Sequence, residues 1–301
     1  MKLIDFMGKR HIAYIVSILL SVIAIGSLAV KQLNLGLDFT GGTQVEVHYA
    51  QAPELDDVRE ALGQAGYAHA SVQTFGAETD ILVRLQQDYS ENVGAQIVSA
   101  LSTHGEDVQL VRAEFVGAQV GEQLRDQGGL GLLLALGGIM IYLALRFQYK
   151  FAIGAVVSLA HDVLIVLGIF SLFGLEFDLT VMAAVLAVLG YSLNDTIVIY
   201  DRIRENIQKS RSNDIARLCN DAVNQTLART VATSGTTLLV LFALYLMGGD
   251  MIHNFSLALI IGIFLGTFSS IYVSAALLVL MNLKREDLIP TKRAEVEEEL
   301  P

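Results

Sequence analysis

An aspartate and an arginine, Asp195 and Arg229, lie in or next to two consecutive apolar stretches of the chain. Asp195 is near one end of the run 179–200, and Arg229 closely precedes the run 231–248. Because a hairpin joins the two runs, we expect the two side chains to lie at similar depth. An ionised group inside a bilayer costs about 2.5–3.5 kcal/mol on insertion scales, so an acid facing a base there is a candidate ion or proton relay.

Movement of Arg229 relative to Asp195 would load or release a proton in such a relay. Each charge that crosses the membrane gains about 2.3 kcal/mol per 100 mV, so the membrane potential can drive such a cycle. The alternative is that Arg229 anchors its helix at the positive side, with Asp195 as its snorkelling partner. We favour the relay because further polar groups converge on the same helix pair.

These further groups lie in the apolar runs near the acid–base pair or in the preceding span. Asp162, near the middle of the run 151–173, either carries a proton or holds helices together by hydrogen bonds. The hydroxyl groups either line a wet proton path or bond to the carbonyls of their own helix. The supporting residues are His161, Asn194, Thr233, Ser234 and Thr237.

Six apolar runs would have to position these groups. A span needs about 20 residues, and each run is of that order. The composition agrees, because only 17% of the residues are charged, below the ~25% of soluble domains. The predicted organisation is a terminal segment 1–11, a span 12–30, an external domain 31–128, spans 129–147, 151–173 and 179–200, a segment 201–229, spans 231–248 and 255–281, and a tail 282–301.

The basic residues predict the orientation of these spans. Lys and Arg are concentrated in the two termini, in residues 146–150 and in the segment 201–229, whereas the short loops 174–178 and 249–254 have none. By the positive-inside rule, both termini are cytoplasmic and the domain 31–128 is external. The segment 201–229 shows helical apolar spacing among charges, which predicts amphipathic helices at the cytoplasmic interface.

The external segment alternates apolar and polar residues in a way that predicts strands. Val45, Val47 and Tyr49 form the buried face of the first strand. Helical spacing in 55–65 and 93–101 and further strands at 71–75, 81–85 and 108–116 give the order β-α-β-β-α-β. This is the order of the ferredoxin-like split βαβ motif. The external segment is acidic. An acidic surface is typical of a soluble domain, although it could also attract basic unfolded chains.

No pattern in the sequence indicates covalent chemistry or a bound cofactor. His48, His69 and His104 lack the paired spacing of metal ligands. There is neither a phosphate-binding loop nor a dinucleotide-binding glycine pattern. The single Cys219 excludes an intrachain disulfide. We therefore expect a protein without enzymatic activity, metal or cofactor.

Several motifs together resemble the SecD/SecF family of protein-export membrane proteins. The first, LGLDFTGGT at residues 35–43, includes Asp38, Gly41 and Gly42. The others are His161-Asp162, the long run GYSLNDTIVIYDRIREN from Gly190, and the Arg229-Thr230-x-x-Thr233-Ser234 pattern. The chain departs from the family pattern at Gly117-Ala118, where Gly-Pro is expected.

The resemblance implies a half-unit of the resistance-nodulation-division (RND) superfamily that works with SecD in the bacterial inner membrane. It implies that the large loop is periplasmic and that Asp195 and Arg229 are the transport pair, with an Asp supplied by SecD. The proton-motive force would promote translocation and release of preproteins beside the SecY, SecE and SecG channel. YajC and YidC are further expected partners, and nucleic acid is not expected.

Two alternatives of other classes stay open. One is an exporter of small molecules or lipids built from the same half-unit, which would need a substrate cleft within the membrane. The other is a structural subunit of the translocase without ion coupling, in which Asp195→Asn would leave export unchanged.

Overall fold

The computed structural model describes residues 3–85, 92–102, 107–210, 212 and 214–288. Within these ranges, six helical stretches are long and apolar enough to cross a membrane, as the apolar runs predict. His104 and most of the tail 282–301 lie outside the described residues. The six stretches are Met7–Val30, Ala118–Arg146, Tyr149–Phe173, Leu179–Lys209, Ile215–Met247 and Ile252–Leu280.

Helices and short strands alternate along the chain. The helices are α1 (Arg10–Val30), α2 (Leu37–Thr40), α3 (Leu55–Gln64), α4 (Val93–Leu101), α5 (Ala118–Arg146), α6 (Tyr149–Phe173), α7 (Leu179–Lys209), α8 (Ile215–Met247), α9 (Asp250–Ser269) and α10 (Ala275–Leu280). The strands are β1 (Asn34–Leu35), β2 (Gly42–Tyr49), β3 (Ser71–Phe75), β4 (Ala77–Leu85), β5 (Val108–Val116) and β6 (Glu176–Phe177).

The segment 201–229 does not form separate helices of its own. It continues α7 as far as Lys209 and begins α8 at Ile215. The apolar residues that suggested a surface-lying helix, such as Ile203 and Ile207, are buried in one cluster with Leu218. The amphipathic face is therefore used to pack the ends of two spans together.

The last span contains a distortion that the apolar run does not reveal. A π-helical turn, Ser270–Ser274, separates α9 from α10. The hydroxyls of Ser270 and Ser274 bond to carbonyls one turn earlier, with O···O distances of 2.7 and 2.9 Å. Such side-chain bonds compete with the backbone ladder and accompany local bending of helices.

The domain between the first two spans has the predicted order of elements. Its four antiparallel strands pair in the order β3-β4-β2-β5, and α3 and α4 contribute to its core. The side chains of Val45, Val47, Leu62, Ile81 and Ile97 are fully buried there. Strand β4 begins at Ala77 rather than at residue 81, because Gly76, with φ +74°, makes the turn alone.

A small set of polar contacts joins this domain to the ends of the spans. Strand β1 pairs in parallel with β6, between α6 and α7. Arg84 of β4 forms a salt bridge with Glu176 of β6 and donates to the carbonyl of Leu35 at 3.3 Å. The side-chain amide of Asn254 in α9 donates to the carbonyl of Glu176 at 3.3 Å. Glu176 therefore ties the sheet domain to two spans.

At the opposite end of the spans, two asparagines of α8 hold the start of the chain. Asn220 accepts from the backbone N–H groups of Phe6 and Met7 at 2.8 and 3.1 Å. Asn224 accepts from the N–H of Ile4 at 2.9 Å and donates to its carbonyl at 2.8 Å. The first residues are thus fixed to the fifth span before α1 begins.

Candidate functional site

Asp162 is the centre of a buried hydrogen-bond network among α6, α7 and α9. Its side chain is fully buried. One carboxylate oxygen accepts from the hydroxyls of Ser192 and Ser269 at 2.8 and 2.7 Å. The other oxygen lies 3.2 Å from Nδ1 of His161. Three spans are therefore joined through a single carboxylate.

Two glycines of α9 make this network possible by letting α7 approach closely. A Cβ on Gly262 would lie 2.2 Å from a methyl group of Val188. A Cβ on Gly266 would lie 2.9 Å from the Cβ of Ser192. The Gly-x-x-x-Gly spacing, a weak packing signal by itself, here brings the Ser192 hydroxyl within reach of Asp162.

Further hydroxyl contacts continue from this network along the helices. Thr196 and Ser270 lie 3.0 Å apart, and the Tyr200 hydroxyl donates to the carbonyl of Ser274 at 3.3 Å. Both contacts reach the π-helical turn, a distortion found frequently at functional sites. Between α8 and α9, the hydroxyls of Ser234 and Thr267 are 3.1 Å apart.

Asp195 is buried on α7, with only 4% of its surface exposed. Arg229, on α8, lies close enough to act on it electrostatically, but its own side chain is exposed. In the described part of the chain, no salt bridge joins the two. The buried hydroxyl of Thr230 lies beside Asp195 without a well-formed hydrogen bond. The carboxylate is therefore close to a base and a hydroxyl without being fixed by either.

The supporting residues divide into those that connect helices and those that do not. Ser234 connects α8 to α9 through Thr267, whereas His161 contacts Asp162 in its own helix. Thr233 donates to the carbonyls of Arg229 and Thr230 in its own helix, both at 3.1 Å. Thr237 donates to the carbonyl of Thr233 and accepts from the hydroxyl of Tyr191, at 3.0 and 3.3 Å. Asn194, by contrast, is exposed.

Two buried polar atoms on α6 have no hydrogen-bond partner among the described residues. They are Nε2 of His161 and Oγ of Ser158. Leaving a buried polar group unpaired costs about 1–3 kcal/mol. Both atoms lie within one helical turn of Asp162, so the network has spare donor and acceptor capacity there.

Sequence reasoning missed Ser192 and Ser269 as the donors to Asp162. The available signal was their position in the apolar runs. It was weak, because a serine or threonine in a helix commonly bonds to its own backbone. Among the described residues, no group of three or more His, Cys, Asp or Glu side chains could hold a metal ion.

The glycine-rich motif positions the sheet domain against two spans. The Asp38 carboxylate accepts from the N–H of Leu179, the first residue of α7, at 2.9 Å. Gly41 has φ +67°, and a Cβ there would lie 2.5 Å from Cα of Ala118, the first residue of α5. Gly42 follows with φ +111° and begins β2. The two glycines thus allow a turn and a backbone contact that a side chain would prevent.

Two family patterns match the chain. The family described as "Protein export membrane protein SecD/SecF, C-terminal" matches residues 95–284. The "SecD/SecF GG Motif" matches residues 26–53, which include Asp38, Gly41 and Gly42.

Curated relatives match over nearly the full length. The protein translocase subunit SecF of Pseudomonas aeruginosa is 51% identical over 99% of this chain and 98% of the relative. Those of Vibrio alginolyticus and Escherichia coli O157:H7 are 47% and 43% identical, over 96% and 97% of this chain and 93% and 92% of the relatives.

Two solved structures have the same fold. The crystal structure of SecDF, a translocon-associated membrane protein from Thermus thermophilus, matches with TM-score 0.85 and 38% identity. SecDF in its super-membrane-facing form matches with TM-score 0.70 and 38% identity. Each match covers 92% of this chain but 38% of the SecDF chain, so the present chain spans less than half of those proteins.

Proposed function

Because the chain belongs to the SecD/SecF family of protein-export membrane proteins, we propose that it is an auxiliary subunit of the Sec translocase driven by the proton-motive force. SecD supplies the other half of the transporter, in keeping with the longer SecDF chains that this chain matches in part. The assembly lies in the inner membrane, with both termini cytoplasmic and the ferredoxin-like sheet domain periplasmic. It acts beside the SecY, SecE and SecG channel.

The contrast between Asp195 and Asp162 carries the assignment of the proton site. Asp162 accepts from the hydroxyls of Ser192 and Ser269 and lies 3.2 Å from Nδ1 of His161, which favours a role in joining helices. Asp195 is buried beside a base that is itself exposed and free of a salt bridge to it. A carboxylate in such surroundings can take up a proton without breaking a network. Asp195 therefore exchanges the proton, and Arg229 modulates the exchange.

The same helix connects this site to the sheet domain. Asp195 lies 16 residues from the first residue of α7, about 24 Å along the helix axis. At that end, Leu179 donates to Asp38, and the preceding Glu176 is paired with Arg84. A tilt or shift of α7 on protonation thus moves the sheet domain, which holds the emerging preprotein.

The test is preprotein export into sealed inverted vesicles that contain SecD and the translocation channel, with and without a proton gradient. We expect Asp195→Asn to remove the stimulation by the gradient while the complex still assembles, as measured by co-purification. Asp201→Asn is the matched control, because Asp201 is an exposed acid six residues further along α7. It should leave the stimulation unchanged.

The two alternatives predict other results. If the chain is a structural subunit, Asp195→Asn keeps the full gradient effect. A small-molecule or lipid exporter requires a membrane cleft that leads cargo across, and export of preprotein would then be independent of this chain. The translocase names of the relatives favour export of protein.

A further inference from the structure

An apolar groove opens between the spans near the end that carries the sheet domain. Its volume is about 410 Å³. The walls come from α1, α5, α6 and α7, with Leu28, Leu132, Leu167 and Val185 among the lining residues. Phe39 and Phe177 also line it, and their rings stack with centroids 5.9 Å apart. The groove is thus bounded both by spans and by the segments that carry the sheet domain.

The dimensions fit a slender apolar chain better than a helix of another protein. One turn of an α-helix, about 10 Å wide and 5.4 Å long, already occupies roughly 420 Å³. The groove would be filled by a single such turn. Its volume is within the ~300–1,000 Å³ of small-ligand sites. Gly129 leaves part of it open, since a Cβ there would meet no atom within 4 Å.

Polar groups occur among the lining residues, and they suggest which lipid head group would be attached to an acyl chain in the groove. Arg125 and Gln32 are the polar lining residues. Arg125 lies 3.8 Å from a carboxylate oxygen of Glu122 and 3.5 Å from one of Asp126. These three exposed side chains sum to one negative charge. They complement a head group with a phosphate for Arg125 and an ammonium for the two acids, and they disfavour a purely anionic one.

We infer that this groove binds one acyl chain of a zwitterionic phospholipid of the phosphatidylethanolamine type, from the leaflet on the side of the sheet domain. The phosphate pairs with Arg125, the ammonium faces Glu122 and Asp126, and Gln32 reaches the ester region. The tail contacts the Phe39–Phe177 stack, so the lipid braces the joint between the spans and the sheet domain. The inference holds whether or not Asp195 carries protons.

A tryptophan reporter tests the site directly, because the chain has no tryptophan of its own. Leu132→Trp places the reporter in the groove. Leu133→Trp places it on the outward face of α5, since Leu133 is 67% exposed, at a depth that differs by about 1.5 Å. The full chain in detergent is titrated with phosphatidylethanolamine brominated near the head group, and quenching is followed.

We expect the groove reporter to be quenched at much lower brominated lipid fractions than the outward reporter. Gly129→Phe fills the groove and should abolish this preference. Gly131→Phe, also in open space on α5 but outside the groove lining, should leave it intact. Arg125→Gln should weaken the preference about tenfold, as loss of a charge-assisted bond does.

Three results would overturn the inference. Equal quenching of the two reporters would mean that no lipid site exists. Equal preference for brominated phosphatidylglycerol would exclude the zwitterionic assignment. Loss of the preference when SecD is added would identify the groove as a surface for that partner. If Leu132→Trp does not fold, Leu28→Trp on the facing wall serves as the reporter.

Discussion

Asp162 and Asp195 are buried carboxylates on neighbouring spans, and their partners differ. Ser192 and Ser269 donate to Asp162 from two other helices. Asp195 instead has the Thr230 hydroxyl and the exposed Arg229 beside it, both on α8. A residue's role in these spans is therefore decided by what its neighbours donate, and less by its charge alone.

Removing either hydroxyl should weaken the helix packing around Asp162. We expect Ser192→Ala and Ser269→Ala each to lower the free energy of unfolding by about 1–3 kcal/mol, because a buried carboxylate loses a donor. The measurement is thermal unfolding in detergent. Ser21→Ala is the control, since that hydroxyl bonds only to the carbonyl of Ser17 in its own helix, at 2.8 Å. Equal destabilisation by all three variants would contradict the network.

The sequence indicates the charged members of this site but misses their donors. Asp162, Asp195 and Arg229 are conspicuous because charges are rare in apolar runs. Ser192 and Ser269 are not, because serine in a helix is commonly satisfied by its own backbone, as Ser270 and Ser274 are here. Only the register between α6, α7 and α9 distinguishes the two kinds of serine.

At the scale of elements, the turn between α2 and β2 depends on Gly41. We expect Gly41→Ala to destabilise the protein by more than about 1 kcal/mol, because the left-handed φ disfavours a side chain. The new Cβ would also meet Cα of Ala118 at 2.5 Å. Protease resistance and thermal unfolding measure the effect. Gly63→Ala, in helix α3 with open space around it, should be neutral or stabilising, and a loss there equal to that at Gly41 would refute the argument.

Apolar periodicity predicts these elements well and their irregularities poorly. The six spans and the β-α-β-β-α-β order follow from hydrophobic patterns in 12–281 and 45–116. The continuation of α7 and α8 into 201–229 cannot be predicted from these patterns, because an amphipathic face can lie on a membrane or on another helix. The π-helical turn Ser270–Ser274 leaves no mark in the apolar periodicity.

At the scale of the whole molecule, the buried carboxyl of Glu176, at the joint between the spans and the sheet domain, makes the stability dependent on pH. Burial raises the pKa of Glu176 above its ordinary value of 4.5, Arg84 lowers it only in part, and Asp178 and Asp38 raise it further. Just above pH 4.5 the folded protein retains a proton that the unfolded chain has lost. The free energy of unfolding therefore falls as the pH rises through this window.

Replacing this carboxyl should remove that dependence. We expect Glu176→Gln to flatten the dependence of the melting temperature on pH between pH 4.5 and neutrality, because the amide does not titrate. Thermal unfolding across this range measures the slope. Glu122→Gln, at an exposed acid of α5, should keep the wild-type slope. A Glu176→Gln profile parallel to wild type would show that another group is responsible.

The way in which the sheet domain packs on the ends of the spans is the feature least predictable from the sequence. The parallel pairing of Asn34–Leu35 with Glu176–Phe177 involves only two residues on each side, too few for a strand pattern. Gln73 and Arg84 are ordinary polar residues of a sheet until the fold brings Glu176 beside them.

The asparagine contacts at the start of the chain have a consequence for synthesis. Ile4 and Asn224 are separated by 220 positions. At about 5–20 residues per second, roughly 10–45 s pass between the emergence of the two from the ribosome. During this interval the start of the chain lacks the α8 contacts that fix it. A growing chain stopped before Asn220 would leave its beginning unanchored, so quality-control proteases could distinguish a truncated product from a finished one at its amino terminus.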